Sequence, residues 1–305
     1  MQRIFIGDVQ GCANELETLI SRAEETFGED FSLWVAGDLV NRGPENLRPL
    51  ERVRRLVEDG RAQYVLGNHE VFLLEVAFGL RELRPTDSID DVLSAPSANE
   101  WVEWLRKRPV VVPGEIEGQP FAMVHAASSP DWALPQLVEW GEAVQKALGG
   151  SRKQAEEFLA LSPEEDETRN ALARLTRCRR IGADGVWSSE EPEGPEFAWH
   201  KAWLARGHDF GLVYGHWARQ GLHVVPGLRG LDTGCVHHGR GKDGFLTAWL
   251  PESAPEHVGA GPRPKGLATF DAPDDRVWQI PAERRYYYAA DEVDPGTAGE
   301  GAKAL

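Results

Sequence analysis

The chain has 305 residues, 41% of them hydrophobic and 27% charged, and a formal net charge of −16. That length can bury a full core as one large domain, while the acidic field argues against binding double-stranded DNA or an anionic membrane surface. The opening residues MQRIFIGDVQG hold no signal-peptide-like apolar stretch, and no window approaches the ~18 apolar residues of a membrane helix, so a soluble, cytoplasmic protein is expected.

The first hundred residues alternate in strand and helix order: a strand at about 3–7, a helix at 13–26, a strand at 33–36, a helix at 45–58, a strand at 62–66 and a helix at 69–78. This is an α/β pattern. Pro85, Pro96 and Pro109 bracket a segment in which WVEWLRKR reads as a short amphipathic helix; VVV (110–112) and FAMVH (121–125) then read as strands. Between about 135 and 180 the apolar spacing becomes helical, as in an inserted cap, and SSEEPEGPE (188–196) reads as a surface loop. Strands return in GLVYGH, LHVVP, LRGLD, FLTAWL, GLATF and RVWQIP, as in the second sheet of a layered fold. The polar ending AADEVDPGTAGEGAKAL lacks periodicity, so one domain is expected over 1–281 with a disordered tail at 282–305.

Asp8, Asp38 and Asn68 close the runs IFIGD, LWVAGD and YVLGN at equal intervals of about thirty residues, the length of a strand-helix-strand unit. Neighbouring parallel strands would bring these oxygen donors to one edge, and His125 and His216, after FAMV and GLVYG, would add imidazoles. A mixed oxygen and nitrogen set favours Mn, Fe, Co or Zn over Ca or Mg. Two such cations can activate water and neutralise a phosphate under attack, with Asp38 as the bridging carboxylate, Asp8 on the first metal and Asn68, His125 and His216 on the second. Arg42, in LVNRGP, is placed to bind phosphate oxygens, and His69, after Asn68, to protonate a departing oxygen.

A phosphate substrate on so acidic a chain needs a local basic patch. Arg106, Lys107 and Arg108 read as a solvated helix face, whereas Arg174, Arg177, Arg179 and Arg180 read equally as a solvated face or as a grip on a charged linear substrate. Cys12, Cys178 and Cys235 are odd in number, far apart and without CxxC spacing, and read as reduced, buried residues. Trp101, Trp104, Trp132 and Trp140 read as core packing; Trp217 is a candidate for a nucleobase pocket. No GxxxxGK[ST] or GxGxxG loop supports ATP-driven or dinucleotide redox chemistry.

The order GDVQG, GDLVNRGP, GNHE, VHA, GHW resembles the calcineurin-like metallophosphoesterases, which implies two facing mixed β-sheets flanked by helices, an α/β (α+β) sandwich, with two divalent metals between the sheet ends. Within that superfamily the chain is similar to the symmetrical bis(5′-nucleosyl)-tetraphosphatases from residue 1 to about 250, through GDVQGCANELETLI, GDLVNRGPENL, VLGNHEVFLL, SAPSANEWVEWLRKRPVVV, HAASSPDW, LTRCRR, GHWA and LDTGCVHHG. The resemblance implies Asp8, Asp38, Asn68, His125 and His216 as metal ligands, His69 as catalytic acid and Arg42 as phosphate clamp. It also implies Arg177 and Arg179 over the polyphosphate, two divalent cations with Mn foremost, and symmetrical cleavage of diadenosine tetraphosphate to two ADP. Removal of a nucleotide cap from an RNA 5′ end is a related activity.

Three positions depart from the pattern. Gln10 stands where a histidine ligand of the first metal is usual, and offers only a neutral amide oxygen to a metal. Asn41 stands where the protein serine/threonine phosphatases have an aspartate that orients the catalytic histidine, which favours the nucleotide branch. His237 and His238 replace the aromatic and glycine expected after DTGC; read as adjacent strand residues, they would face opposite ways and not join one metal. The alternatives are a phosphoprotein phosphatase using the same metals and, on the strength of Gln10, a non-catalytic polyphosphate-binding module.

Overall fold

The computed structural model describes residues 1–259, 269–271 and 276–287. Its first half is the expected alternation: β1 (Gln2–Ile6), α1 (Ala13–Phe27), β2 (Phe31–Val35), α2 (Leu47–Glu58), β3 (Ala62–Tyr64), α3 (Asn68–Ala77), α4 (Asp90–Leu93), α5 (Ala98–Leu105), β4 (Val111–Ile116) and β5 (Gln119–Val124). Three helices then follow in succession, α6 (Leu134–Gly149), α7 (Arg152–Ala160) and α8 (Glu167–Arg177), before a short ribbon of β6 (Arg180–Ile181) and β7 (Trp187–Ser188). After α9 (Trp199–Ala205) come β8 (Gly211–Tyr214), β9 (His223–Val225), β10 (Leu228–Gly230), β11 (Asp232–Thr233), β12 (Phe245–Trp249), α10 (Pro255–Val258) and β13 (Val277–Pro281).

Two mixed sheets result. One runs β11-β12-β1-β2-β3, with β13 also paired to β12; β1, β2 and β3 are parallel and β12 antiparallel to its partners. The other runs β4-β5-β8-β10-β9, parallel through β5, β8 and β10. Strand alternation explains how they pack. Phe5 meets Phe121 of the other sheet at 5.5 Å and Trp34 meets it at 5.6 Å, in a cluster with Met123, Val213 and Trp249. Ile4 and Ile6 point the other way, into a larger cluster with Leu16, Leu19 and Ile20 of α1. Both faces of β1 are therefore buried from Ile4 to Ile6, which is why those residues read as an unbroken apolar run.

Several expectations are revised by this packing. Arg106 is not on a solvated face: it is 5% exposed, and its guanidinium donates to the Leu148 carbonyl (2.9 Å) and the Gly150 carbonyl (2.5 Å) at the end of α6 and pairs with Glu103. Cys235 to His237 form a 3-10 turn, not a strand, so alternation does not govern the two histidines. In GLATF, residues 269 and 270 lie in a turn rather than a strand, and 266–268 fall outside the described residues. The segment assigned to a tail begins with ordered contacts: Ala282 N–H donates to the Gly244 carbonyl, and Glu283 N–H to Glu15 Oε1. Residues 288–305 lie outside the described residues. All three cysteines are free and buried, and burial pushes the Cys178 thiol up to about 12. Trp101 and Trp104 are buried, while Trp132 and Trp140 are half-buried and stack on one another at 5.8 Å. Among the described residues no helix is long and apolar enough to cross a membrane.

Candidate metal centre and phosphate cleft

Parallel strands share a direction, so the residues following β1, β2, β3, β5 and β8 emerge at corresponding sheet edges. There the chain brings Asp8, Asp38, Asn68, His125 and His216 together, all but Asn68 buried. Ligand atoms of Asp38, His125 and His216 lie within 4.8 Å of one another. The Asp8 carboxylate accepts the His216 N–H at 2.8 Å, and Asp38 Oδ1 accepts the His69 N–H at 2.9 Å. Such closeness needs bare backbone: a Cβ on Gly67 would collide with Asp38 Oδ1, and one on Gly215 with Asp8 Oδ1.

Backbone strain concentrates here as well. Of the six non-glycine residues with positive φ among those described, five are Gln10, Asp38, Asn41, Arg42 and His216. Each such conformation costs about 1–3 kcal/mol and persists only where the surroundings enforce it. Glu70 of GNHE is part of that enforcement: its buried carboxylate accepts the N–H groups of Asp38 (3.0 Å), Leu39 (2.8 Å), Val40 (3.3 Å) and Gly67 (2.8 Å).

The hydrogen bonds around the two imidazoles determine which nitrogens face inward. His125 Nδ1–H donates to the Ala36 carbonyl at 2.7 Å, so in the neutral ring the acceptor is Nε2, 3.1 Å from Asn68 Oδ1 and 3.4 Å from Asp38 Oδ2. His216 Nε2–H donates to the Arg177 carbonyl at 3.1 Å, which leaves Nδ1 without a proton. The convergence of acceptor atoms from Asp38, His125 and His216 fits a cation. Electrostatics agree. Burial, Asp232 and Asp38 together raise the Asp8 carboxyl well above its ordinary range. Burial opposes charge on both His125 and Asp38, yet Asp38 lifts the imidazole above its usual value, and His125 and His69 hold the Asp38 carboxyl below its own. The centre favours added positive charge.

Residues 1–161 match the family profile described as calcineurin-like phosphoesterase. A protein from Ralstonia nicotianae named symmetrical bis(5′-nucleosyl)-tetraphosphatase is 36% identical, the alignment covering 77% of this chain and 86% of that protein. One of the same name from Janthinobacterium sp. is 34% identical over 79% and 91%. The chain belongs to the calcineurin-like phosphoesterase family. Among solved structures, one described provisionally as a diadenosine tetraphosphatase matches with TM-score 0.57 and 22% identity over 92% of this chain and 93% of that one. A protein serine/threonine phosphatase from Saccharomyces cerevisiae matches with TM-score 0.50 and 14% identity over 94% and 81%. Both likenesses concern the fold.

In this phosphoesterase a cleft of about 370 Å³ opens over the cluster, with Arg42, Arg179, Arg219, Arg240 and Lys242 among its lining residues. The local basic patch is therefore present, but only Arg179 of the four-arginine run lines it. Its guanidinium donates to the Ser189 carbonyl at 2.7 Å, beside Glu191. Arg177 lies 3.6 Å from the buried Glu75 carboxylate, which also pairs with Arg169. Arg174 bonds Ser129 Oγ and stacks over Trp132, and Arg180 pairs with Glu190 and Glu193. Trp217 does line the cleft, its indole N–H held by Glu191.

Gln10 sits inside the centre, its amide nitrogen 3.3 Å from both Asp8 Oδ2 and Asp38 Oδ2. Asn41 organises His69. Its Oδ1 accepts the Arg42 and Ser88 N–H groups, so its Nδ2 donates, to His69 Nδ1 at 2.9 Å and to Asp87 Oδ1 at 3.0 Å. His69 therefore carries its proton on Nε2, facing Asp38 at 3.7 Å. Burial, reinforced by Arg42 and opposed by Asp38, lowers its pKa to about 4.

Asp232 escaped the sequence reading although it closes the run LRGL as Asp8 closes IFIG. It lines the cleft, and burial raises its carboxyl above its usual value. Arg219 escaped because it stands alone in a turn, and Arg240 and Lys242 because they lie just past the run LDTGCVHHG, interrupted by glycine.

Proposed function

We propose that the chain hydrolyses diadenosine tetraphosphate, and related dinucleoside polyphosphates, symmetrically to two ADP, using two divalent cations of the Mn, Co, Fe or Zn group. The carrying observation is the cluster of Asp38, His125 and His216, of which Asp38 and His216 line a cleft together with five basic side chains. The relatives' names support the substrate. Asp8, Asp38, Asn68, His125 and His216 would hold the cations, with Asp232 and Gln10 beside them. The cations would supply an activated water and neutralise phosphate charge.

The chain's own part is to bind and orient. Arg42 and Arg179 present guanidinium forks to non-bridging phosphate oxygens, where charge builds during attack. His69, neutral with its proton on Nε2, donates a hydrogen bond to the oxygen of the departing ADP. A phosphate leaving group is a weak base, so this hydrogen bond can serve where complete proton transfer from an imidazolium is unnecessary. The same linkage occurs at a nucleotide-capped RNA 5′ end, which gives the single-stranded substrate worth assaying second.

The test is ion-exchange chromatography of products after incubating chelator-treated protein with diadenosine tetraphosphate, with and without Mn or Co. ADP as sole product, dependent on metal and lost in Asp38→Ala, is expected. AMP plus ATP would move the attack to another phosphorus and overturn the proposal, and tight binding without turnover would favour the binding-module reading.

A further inference from the structure

After β13 the chain turns back along α1 toward the cleft. The buried Glu15 carboxylate on α1 accepts both the Glu283 N–H and the Tyr286 hydroxyl at 2.8 Å, and Asn14 Nδ2 donates to Glu283 at 2.8 Å. These bonds place the next residue, Tyr287, against side chains that line the cleft. Its ring lies 5.3 Å from the Arg42 guanidinium and 4.7 Å from that of Arg240, with His237 edge-on at 5.5 Å. Arg42, Arg240 and His237 all line the cleft.

Arg42 has particular need of support. Its backbone is left-handed, with φ of 68°, and a long guanidinium side chain samples many rotamers unless held. Two contacts hold it: Nη1 donates to His237 Nε2 at 3.0 Å, and the Tyr287 ring faces the cation. Burial and the neighbouring Arg42 and Arg240 charges lower the His237 pKa to about 3, which keeps Nε2 an acceptor.

We infer that Tyr287 and His237 are positioning residues for Arg42, so that the segment following β13 completes the phosphate-binding wall of the active site. This rests on the proposed reading of Arg42 as a phosphate clamp. The two side chains act as one cradle, His237 fixing the direction of the fork and Tyr287 the plane in which it lies. Cleft and C-terminal segment are coupled through Glu15.

The experiment is a set of double-mutant cycles in the full-length protein. Tyr287→Leu, Tyr287→Phe, His237→Ala and His237→Gln are each made alone and in an Arg42→Ala background. Readouts are kcat and KM for diadenosine tetraphosphate with Mn, the calorimetric Kd for ADP, and thermal melts to check folding. Tyr287→Leu and His237→Ala should lower kcat/KM by about three- to thirtyfold, and Tyr287→Phe and His237→Gln should recover most of it. In the Arg42→Ala background most of the effect of all four should vanish, the remainder for Tyr287→Leu reflecting the ring's second contact, with Arg240, and the ADP affinities should follow the same pattern. Unchanged kinetics in Tyr287→Leu beside a damaged Arg42→Ala would overturn the inference. So would full additivity, which would mean that the ring acts independently of Arg42. Should the wild-type protein release no ADP, the proposed activity fails, and the ADP-binding cycle still decides whether Tyr287 acts through Arg42.

Discussion

Replacing Asn41 by Asp would turn one hydrogen bond into a clash of like charges. Asn41 is fully buried, and its Nδ2 lies 3.0 Å from Oδ1 of Asp87, whose side chain is 2% exposed. With both groups ionised at that separation, an effective dielectric of ~20 gives about 5 kcal/mol of repulsion. Three factors limit it, the first being that His69, whose Nδ1 lies 2.9 Å from Asn41 Nδ2, can move its proton to Nδ1 and donate to the new carboxylate. Arg84 pairs with Asp87 at 3.1 Å, and one carboxyl can take up a proton, which at pH 7 costs about 4 kcal/mol for an ordinary aspartate. We therefore expect Asn41→Asp to lose about 2–4 kcal/mol of stability at pH 7, with Tm lower by roughly 4–12 °C.

The pH dependence supplies a second check. The new carboxyl has a folded pKa raised above its unfolded value, so its penalty is present at neutral pH and shrinks as pH falls toward 5. The double variant Asn41→Asp with Asp87→Asn restores one amide and one carboxylate, and should regain most of the loss. Denaturant and thermal unfolding of the wild type, both single variants and the double variant, at pH 7 and pH 5, measure all of this. A double variant no more stable than Asn41→Asp would refute the reasoning.

Three further outcomes are expected. Arg106→Ala should cost about 2–3 kcal/mol in urea unfolding, because it strips the buried donor from two carbonyls at the end of α6, while the exposed Lys107→Ala should cost less than about 0.5. Gly67→Ala should destabilise by about 1–3 kcal/mol, since the added methyl meets Asp38; an unchanged melting temperature would show that the turn relaxes. Burial lowers the His200 pKa to about 4, and its Nδ1 accepts from Gln220 at 3.1 Å. The unfolded chain takes up a proton below about 6.5 where the folded chain does not. Stability should therefore be full above about pH 6.5 and fall toward pH 4, and His200→Gln should flatten that slope.

The alternation of apolar runs and amphipathic segments was enough to give the parallel β1, β2 and β3 and the helices between them. A strand buried on both faces and a helix buried on one leave different local periods. The strand-end positions of Asp8, Asp38, Asn68, His125 and His216 were legible for the same reason: in a parallel sheet, following a strand is enough to reach the functional edge. Other features depend on partners distant in the chain. Arg106 reads as a surface charge until α6 ends beside it, and Arg174 and Arg180 read as a solvated face or a grip until Ser129, Glu190 and Glu193 engage them. The proton on His69 Nε2 follows from Asn41, whose orientation is fixed by the N–H of Ser88, 47 residues away. Tyr287 stands 245 residues beyond Arg42, and only the pairing of β13 with β12 and the anchoring on Glu15 bring its ring to the guanidinium. Local pattern determined which elements form and where each strand ends. Tertiary packing alone decided which charges face the cleft, because a side chain's hydrogen-bond and ion-pair partners are set by long-range contact.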